Sequence, residues 1–378
     1  MVEWKKLVAV ADVLYGYPFE SSLFSEDSTY IPLIRIRDVK PAKASTYYSG
    51  GYNEAYRIKK GDILVGMDGE FNLGKWDDKD GLLNQRVLKL TGKEGYSIDG
   101  YLFHYMGPVL KKIEKETAEG SVKHLSAKVI NSILIPIPSL EEQTRIVGIL
   151  DTFTSAIDNL KEQIAERRKQ YEHYRDQLLD LEGKEGVEVK YITDVAKSFT
   201  GLTYKPENVC DEGTLVLRSS NIDEDVLAFD DNVFVQMVIP ERAIVKENDI
   251  LICVRNGSKR LVGKAAMITK KAEGMAFGAF MTILRSFDID SKFLFYVWQS
   301  EKVKKQYKGD EAMPIAQITA KDFQRIIIPV PSLSEQQRIV SILDTFEASV
   351  ANLEQQLAQR EKQYEYYRNK LLTFECYD

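Results

Sequence analysis

Residues 135–179 and 328–372 repeat one sequence. IPIPSLEEQTRIVGILDTF and its continuation align with IPVPSLSEQQRIVSILDTF and its continuation without a gap at an offset of 193, with 28 of 45 positions identical. The match weakens upstream, where Leu125-Ser126-Ala127-Lys128 stands opposite Ile318-Thr319-Ala320-Lys321. Further back only pattern survives: Lys59-Lys60-Gly61-Asp62-Ile63-Leu64 against Lys246-Glu247-Asn248-Asp249-Ile250-Leu251, and Leu33-Ile34-Arg35 against Val216-Leu217-Arg218. The chain is therefore two copies of one plan, each a globular head of about 140–150 residues followed by a long segment of about 42. Two copies are too few for a solenoid, so a pseudo-two-fold arrangement is expected.

The repeated segments have the pattern of long helices. Ser139 with Glu142, and Ser332 with Glu335, have capping-box spacing after a Pro-containing strand. Apolar residues then fall in alternating steps of four and three: Ile146, Leu150, Phe153, Ile157, Leu160, Ile164, Tyr171, Tyr174, Leu178 and Leu181. The second copy gives Ile339, Leu343, Phe346, Val350, Leu353, Leu357, Tyr364, Tyr367, Leu371 and Phe374. This is a heptad seam, broken once in each copy by Arg167 and Arg360. Each helix could bury its seam on its own head, but matching periods with matching defects are met more simply if the helices pair with each other. Helices of ~40 residues would be ~60 Å long. Because a head separates them in sequence, they should run antiparallel, with Gly183-Lys184-Glu185-Gly186 ending the first.

Charge divides along the same lines. The formal net charge is −6, and segments 140–182 and 333–375 carry −4 and −2 of it, leaving the rest balanced. Acidic helices suit protein partners, while neutral heads leave room for local basic faces that could meet nucleic acid. The chain of 378 residues is 44% hydrophobic and 29% charged, as expected of a globular protein. It has no apolar run of membrane-spanning length, and its start lacks the apolar region of a secretory signal. Cys210, Cys253 and Cys376 are too scattered for a disulfide framework, so a reducing cytoplasmic setting is expected. Phosphate-loop, dinucleotide and nucleophile-elbow motifs are absent. His104, His124 and His173 are scattered, and the acidic runs Asp77-Asp78-Asp80 and Asp223-Glu224-Asp225 look like solvated loops.

The heads do carry glycine-rich polar loops. The first has Gly66 to Trp76, then Leu83-Asn84-Gln85-Arg86; the second has Val254 to Lys264. Arg and Lys suit guanine edges, Asn and Gln suit adenine edges, and glycines admit close phosphates. The candidate DNA contacts are Arg35, Arg37, Lys75, Asn84, Gln85 and Arg86 in the first head. In the second they are Arg218, Asn221, Arg255, Asn256, Lys259, Arg260 and Lys264. Solvated β-hairpins would share this composition. Near-identical helices joined to unlike loops nevertheless suggest a fixed scaffold with varied readers.

The two copies of Ile-Pro-Ile/Val-Pro-Ser-Leu-x-Glu-Gln-x-Arg-Ile-Val-x-Ile-Leu-Asp resemble the specificity subunit of type I restriction–modification systems. So do the Arg-x-x-x-Tyr-like helix ends and Gly61-Asp62-Ile63-Leu64, with Asn248 departing at the first position of the second copy. The resemblance spans the chain. It implies an α+β fold in which two target recognition domains, 1–139 and 183–332, are separated by two antiparallel coiled-coil spacer helices, 140–182 and 333–378. It implies a non-catalytic subunit in which each head reads half of a bipartite, asymmetric site on double-stranded DNA. Two methyltransferase subunits would dock on it, using S-adenosylmethionine for N6-adenine methylation. Restriction subunits, where a system has them, would bring ATP and Mg. A scaffold whose heads bind protein, or an enzyme with an unrecognised site, are the other classes.

Overall fold

The computed structural model describes residues 2–117, 123–307 and 317–374. Cys376 and the last residues of the second spacer segment lie outside this range; Cys210 and Cys253 are free thiols. The chain divides into two compact units, Met1–Lys161 with Gln355–Asp378, and Glu162–Glu354. Each holds one head and half of each long helix.

The heads share most of one topology, although the second sheet has five strands in the first head and four in the second, which adds a two-stranded hairpin. In the first, Glu3–Lys6 pairs antiparallel with Leu134–Ile137, tying the head's first strand to the one that enters the long helix. In the second, Glu188–Tyr191 pairs likewise with Ile327–Val330. A four-stranded antiparallel sheet follows, in the order Ala11–Tyr15, Val87–Gly92, Ile63–Gly66, Leu73–Lys75. Its counterpart runs Ala196–Thr200, Met281–Ser286, Ile250–Cys253, Ala265–Met267. A second sheet in each head has one parallel pairing, Ile31–Ile34 with Gly81–Leu83 and Thr214–Leu217 with Ala276–Phe277. Ile63, Leu64 and Val65, like Ile250, Leu251 and Ile252, are buried on both faces, which explains their unbroken apolar runs. One helix, Asp99–Glu116 in the first head and Ser291–Gln299 in the second, packs onto the sheet.

The long helices are Leu140–Leu179 and Leu333–Leu372. The first stops short of Glu182: Gly183 takes a positive φ of 74°, and Leu181 turns into the second head's core. Only half of each expected capping box forms. Ser139 Oγ accepts from Glu142 N (3.2 Å) and Ser332 Oγ from Glu335 N (3.4 Å). The Glu142 and Glu335 carboxylates instead form bidentate pairs with Arg145 and Arg338 one turn on, since a charged fork outcompetes a single backbone N–H. The next residue fixes the helix to its head. Gln143 and Gln336 are buried, donate to Pro138 O and Pro331 O, and accept from Ile98 N and Asp290 N.

Within each unit the helix segments run antiparallel. In the first, the Phe153 ring stacks on Tyr367 at 5.1 Å and Lys161 pairs with Glu361 at 3.8 Å. In the second, Phe346 stacks on Tyr174 at 5.4 Å and Arg168 pairs with Glu354 at 2.5 Å. At the repeat offset, Phe153 corresponds to Phe346 and Tyr367 to Tyr174, so the stack is duplicated. The ion pair is also duplicated, but with inverted polarity: Lys161 corresponds to Glu354 and Arg168 to Glu361. One helix holds both cations and the other both carboxylates, so either helix paired with its own copy would set like charges together. The Arg167 and Arg360 interruptions lie beside the seam and donate to Gln170 and Gln363.

Candidate nucleic-acid interface

Strand Ile63–Gly66 delivers Met67 and Asp68 to the edge of the first head. Gly81–Leu83 leads into the turn Asn84–Arg86, which returns through Val87–Gly92. The segment before the short helix Ala127–Ser132 brings in His124. Backbone bonds hold the three together: Met67 N donates to Arg86 O (2.8 Å), and Leu125 N to Met67 O (2.7 Å). Asp68 and His124 face each other across an isolated antiparallel bridge. In the second head Val254 N donates to Phe280 O (3.0 Å), Ile318 N donates to Val254 O (2.8 Å), and Arg255 faces Gln317 across the same kind of bridge. Asp68, Arg86 and His124 thus occupy the same backbone frame as Arg255, Phe280 and Gln317.

The frame is stiff. A Cβ on Gly16 would lie 2.0 Å from Asn84 O, and one on Gly201 would lie 2.1 Å from Gly278 O, so in each head a strand crosses the turn at glycine contact. Arg86 holds φ at 73°, a left-handed conformation for a residue with a side chain. Strain of this kind costs ~1–3 kcal/mol and clusters at functional sites.

The side chains on this frame differ. In the first head Arg86 Nε lies 3.4 Å from Asp68 Oδ2, and His124 Nδ1 lies 2.5 Å from Asp68 Oδ1 and 3.4 Å from an Arg86 amino nitrogen. One ring nitrogen cannot donate and accept at once; the short carboxylate contact makes Nδ1 the N–H donor. Asp68 therefore orients both neighbours, and Arg86 keeps half its side chain exposed. In the second head Phe280 is 57% exposed and the Arg255 guanidinium lies 5.3 Å from its ring centre, a cation–π contact.

The structure brings some sequence candidates to this frame and places others apart. Gln85 and Arg86 lie on the first turn and Arg255 lies beside the second. Asn256 joins the next loop, donating to Ser219 Oγ at 3.1 Å. Lys259 and Arg260 are exposed on the turn Lys259–Leu261. Lys264 donates to Ile222 O at 2.6 Å. Arg218 is paired with Asp231 at 2.9 Å and holds a turn with Asn221, which is fully buried and donates to Ala228 O and Asp231 O. Asn84 is also buried and caps Gln85 N. Both amides are thus committed inside the fold. Arg35 is half-buried near Phe24, and Arg37 donates to Ser45 and Thr46. Lys75 lies elsewhere, 3.8 Å from Asp151 on the long helix and 4.8 Å from the Phe103 ring. Asp68, His124, Phe280 and Gln317 were not expected at the site. His124 and Gln317 stand one residue before the upstream repeat match, so extending it by one position would have found them. Phe280 escapes any search for polar readers.

Asp151 and Asp344 anchor the helices to the heads at equivalent positions. Asp151 lies 2.8 Å from His104 Nε2, and Asp344 accepts from Tyr296 OH (2.6 Å) and Lys292 (2.7 Å). Burial holds the His104 pKa below its usual value, although Asp151 opposes the shift. Among the described residues no three His, Cys, Asp or Glu side chains could together hold a metal ion, and no helix is long and apolar enough to cross a membrane.

Comparison with known proteins matches this architecture. The type I restriction enzyme EcoBI specificity subunit of Escherichia coli is 26% identical over 92% of this chain and 80% of its own length. The EcoR124I/EcoR124II specificity subunit, also of Escherichia coli, is 28% identical over 99% of this chain and 94% of its own. Among solved structures, a type I restriction–modification S subunit from M. genitalium superposes with a TM-score of 0.58 at 16% identity, covering 99% of this chain and 97% of that one. A chain from a structure described for complex assembly and conformational transition of the type I R-M system gives 0.59 at 20% identity, over 98% and 96%. Residues 1–167 and 184–362 each match the type I restriction modification DNA specificity domain, one match per repeat, and the chain belongs to that family.

Proposed function

We propose that this chain is the DNA-recognition subunit of a type I restriction–modification complex, with each head reading one half of a bipartite, asymmetric site. The carrying observation is the duplicated frame: one backbone arrangement presents Asp–Arg–His in one head and Arg–Phe–Gln in the other. Two copies of one reader would favour a palindrome, whereas unlike readers on like frames suit unlike half-sites. The role is recognition rather than catalysis. Two N6-adenine methyltransferase subunits dock on the chain and bring S-adenosylmethionine; restriction subunits, with ATP and Mg, complete the system where it has them. Gln85, Arg86, Arg255, Asn256, Lys259 and Arg260 are the sequence candidates closest to a DNA-facing role, and Lys75 serves the helix junction instead. The test is to co-express the chain with its methyltransferase subunit and sequence the host methylome. The expected result is one bipartite motif with two dissimilar halves, absent when the chain is omitted. A palindromic motif, or methylation unaffected by the chain, refutes the proposal.

A further inference from the structure

The equivalent frames carry opposite chemistries, and from this we infer the bases they read: guanine under Arg86 in the first half-site and thymine under Phe280 in the second. The inference rests on the DNA-recognition reading above. In the first head the exposed group at the frame's tip is a guanidinium. Asp68 holds its Nε side at 3.4 Å and is itself held by His124. A charged donor fork with its torsions fixed from behind, next to the exposed amide of Gln85, suits paired acceptors. Guanine O6 and N7 are the pair of acceptors that one base presents in the major groove.

In the second head the tip is Phe280, and the residue before it is Ala279 in place of Gln85. A 57% exposed benzyl group cannot donate or accept a conventional hydrogen bond. Its ring lies 5.3 Å from the Arg255 guanidinium, a cation–π contact that braces it. The close approach of Gly201 to Gly278 O fixes the backbone two residues before Phe280. The apolar feature that distinguishes bases in the major groove is the C5 methyl group of thymine, which an aromatic side chain can contact. The frame supplies position in both heads, and the exchange of Arg for Phe changes what that position reads.

The test uses the assembled complex and duplexes carrying the motif found for the wild type. Deoxyuridine in place of thymine removes only the methyl group, and 7-deazaguanine removes only N7. Wild-type binding should weaken about three- to tenfold for deoxyuridine at one position of the second half-site, the worth of one buried methyl. It should weaken about tenfold or more for 7-deazaguanine at one position of the first. Phe280→Ala should be indifferent to the deoxyuridine exchange and relax that position in the methylome, while Phe280→Leu keeps part of the effect and controls for folding. Arg86→Ala should be indifferent to 7-deazaguanine and leave the second half-site unchanged. If Phe280→Ala keeps the wild-type motif and the wild-type response to deoxyuridine, the assignment is wrong although the DNA-recognition reading stands. A wild-type complex that binds no bipartite duplex overturns both.

Discussion

Asp249 is 1% exposed at the foot of the strand that leads to Arg255. Its carboxylate accepts from Arg285 through two nitrogens, both at 2.7 Å, and from Lys246 N at 2.7 Å. Asp249→Ala removes all three bonds and strands a guanidinium whose side chain is only 26% exposed. Breaking a buried pair from one side costs about 3–5 kcal/mol. Arg285 can rehydrate in part and keeps its place over the Phe199 ring, so the low end applies, about 3 kcal/mol. For a unit this large, each kcal/mol moves the midpoint by about 2–4 °C, so the loss is about 6–12 °C. Asp62 is the internal comparison. It holds the same place in the first head and likewise accepts from Lys59 N at 2.8 Å, but it meets Lys89 through one 2.8 Å contact with the two side chains 18% and 22% exposed. Asp62→Ala should therefore cost only about 1–2 kcal/mol. Hydrogen exchange by mass spectrometry on the intact chain separates the two, through peptides from Ile250–Cys253 and Met281–Ser286 against those from Ile63–Gly66 and Val87–Gly92. Equal losses in the two heads, or a larger loss for Asp62→Ala, would show that burial of the pair does not set its worth.

Lys161→Glu should lower stability by about 0.5 kcal/mol, and Glu361→Lys in the same chain should restore it, since exposed pairs couple by about 0.2–1 kcal/mol; a double-mutant cycle with zero coupling removes the inverted pair as a pairing determinant. Burial depresses the folded-state pKa of His104, so its contribution is complete above the usual histidine value near 6.5 and is lost as pH falls below it. Exchange protection around Asp99–Glu116 should accordingly fall as the pH drops below about 6.5, and His104→Gln should flatten that slope; an unchanged slope assigns the loss to other groups. Arg86→Gly should stabilise the first head by up to about 1 kcal/mol by relieving its left-handed backbone while loosening the first half-site, and a loss of stability would mean that the Asp68 contact outweighs the strain.

The duplicated plan and the long helices were legible in the sequence because both depend on periodicity, and the antiparallel sense was legible because a head separates the helices along the chain. A 193-residue offset and a heptad spacing are properties of order along the chain, and hydrophobic burial converts them directly into helix faces. The reversed polarity of Lys161 and Arg168 against Glu354 and Glu361 is also written there, but it becomes a pairing rule only once the register sets Lys161 beside Glu361. The reading frame was not legible. Asp68, Arg86 and His124 come from three separate segments, as do Arg255, Phe280 and Gln317, and backbone bonds between strands and loops assemble them. Composition pointed to Asn84 and Asn221 because amides suit bases, yet both are buried, since a turn needs a side chain that can satisfy backbone groups inside the fold. It passed over Phe280, whose exposure at the tip of the second frame is a property of the folded turn and not of residue type. Residue type along the chain states what a side chain can do. Which side chains share a surface is a long-range property, decided only when the sheets close and bring Met67 to Arg86 and Val254 to Phe280.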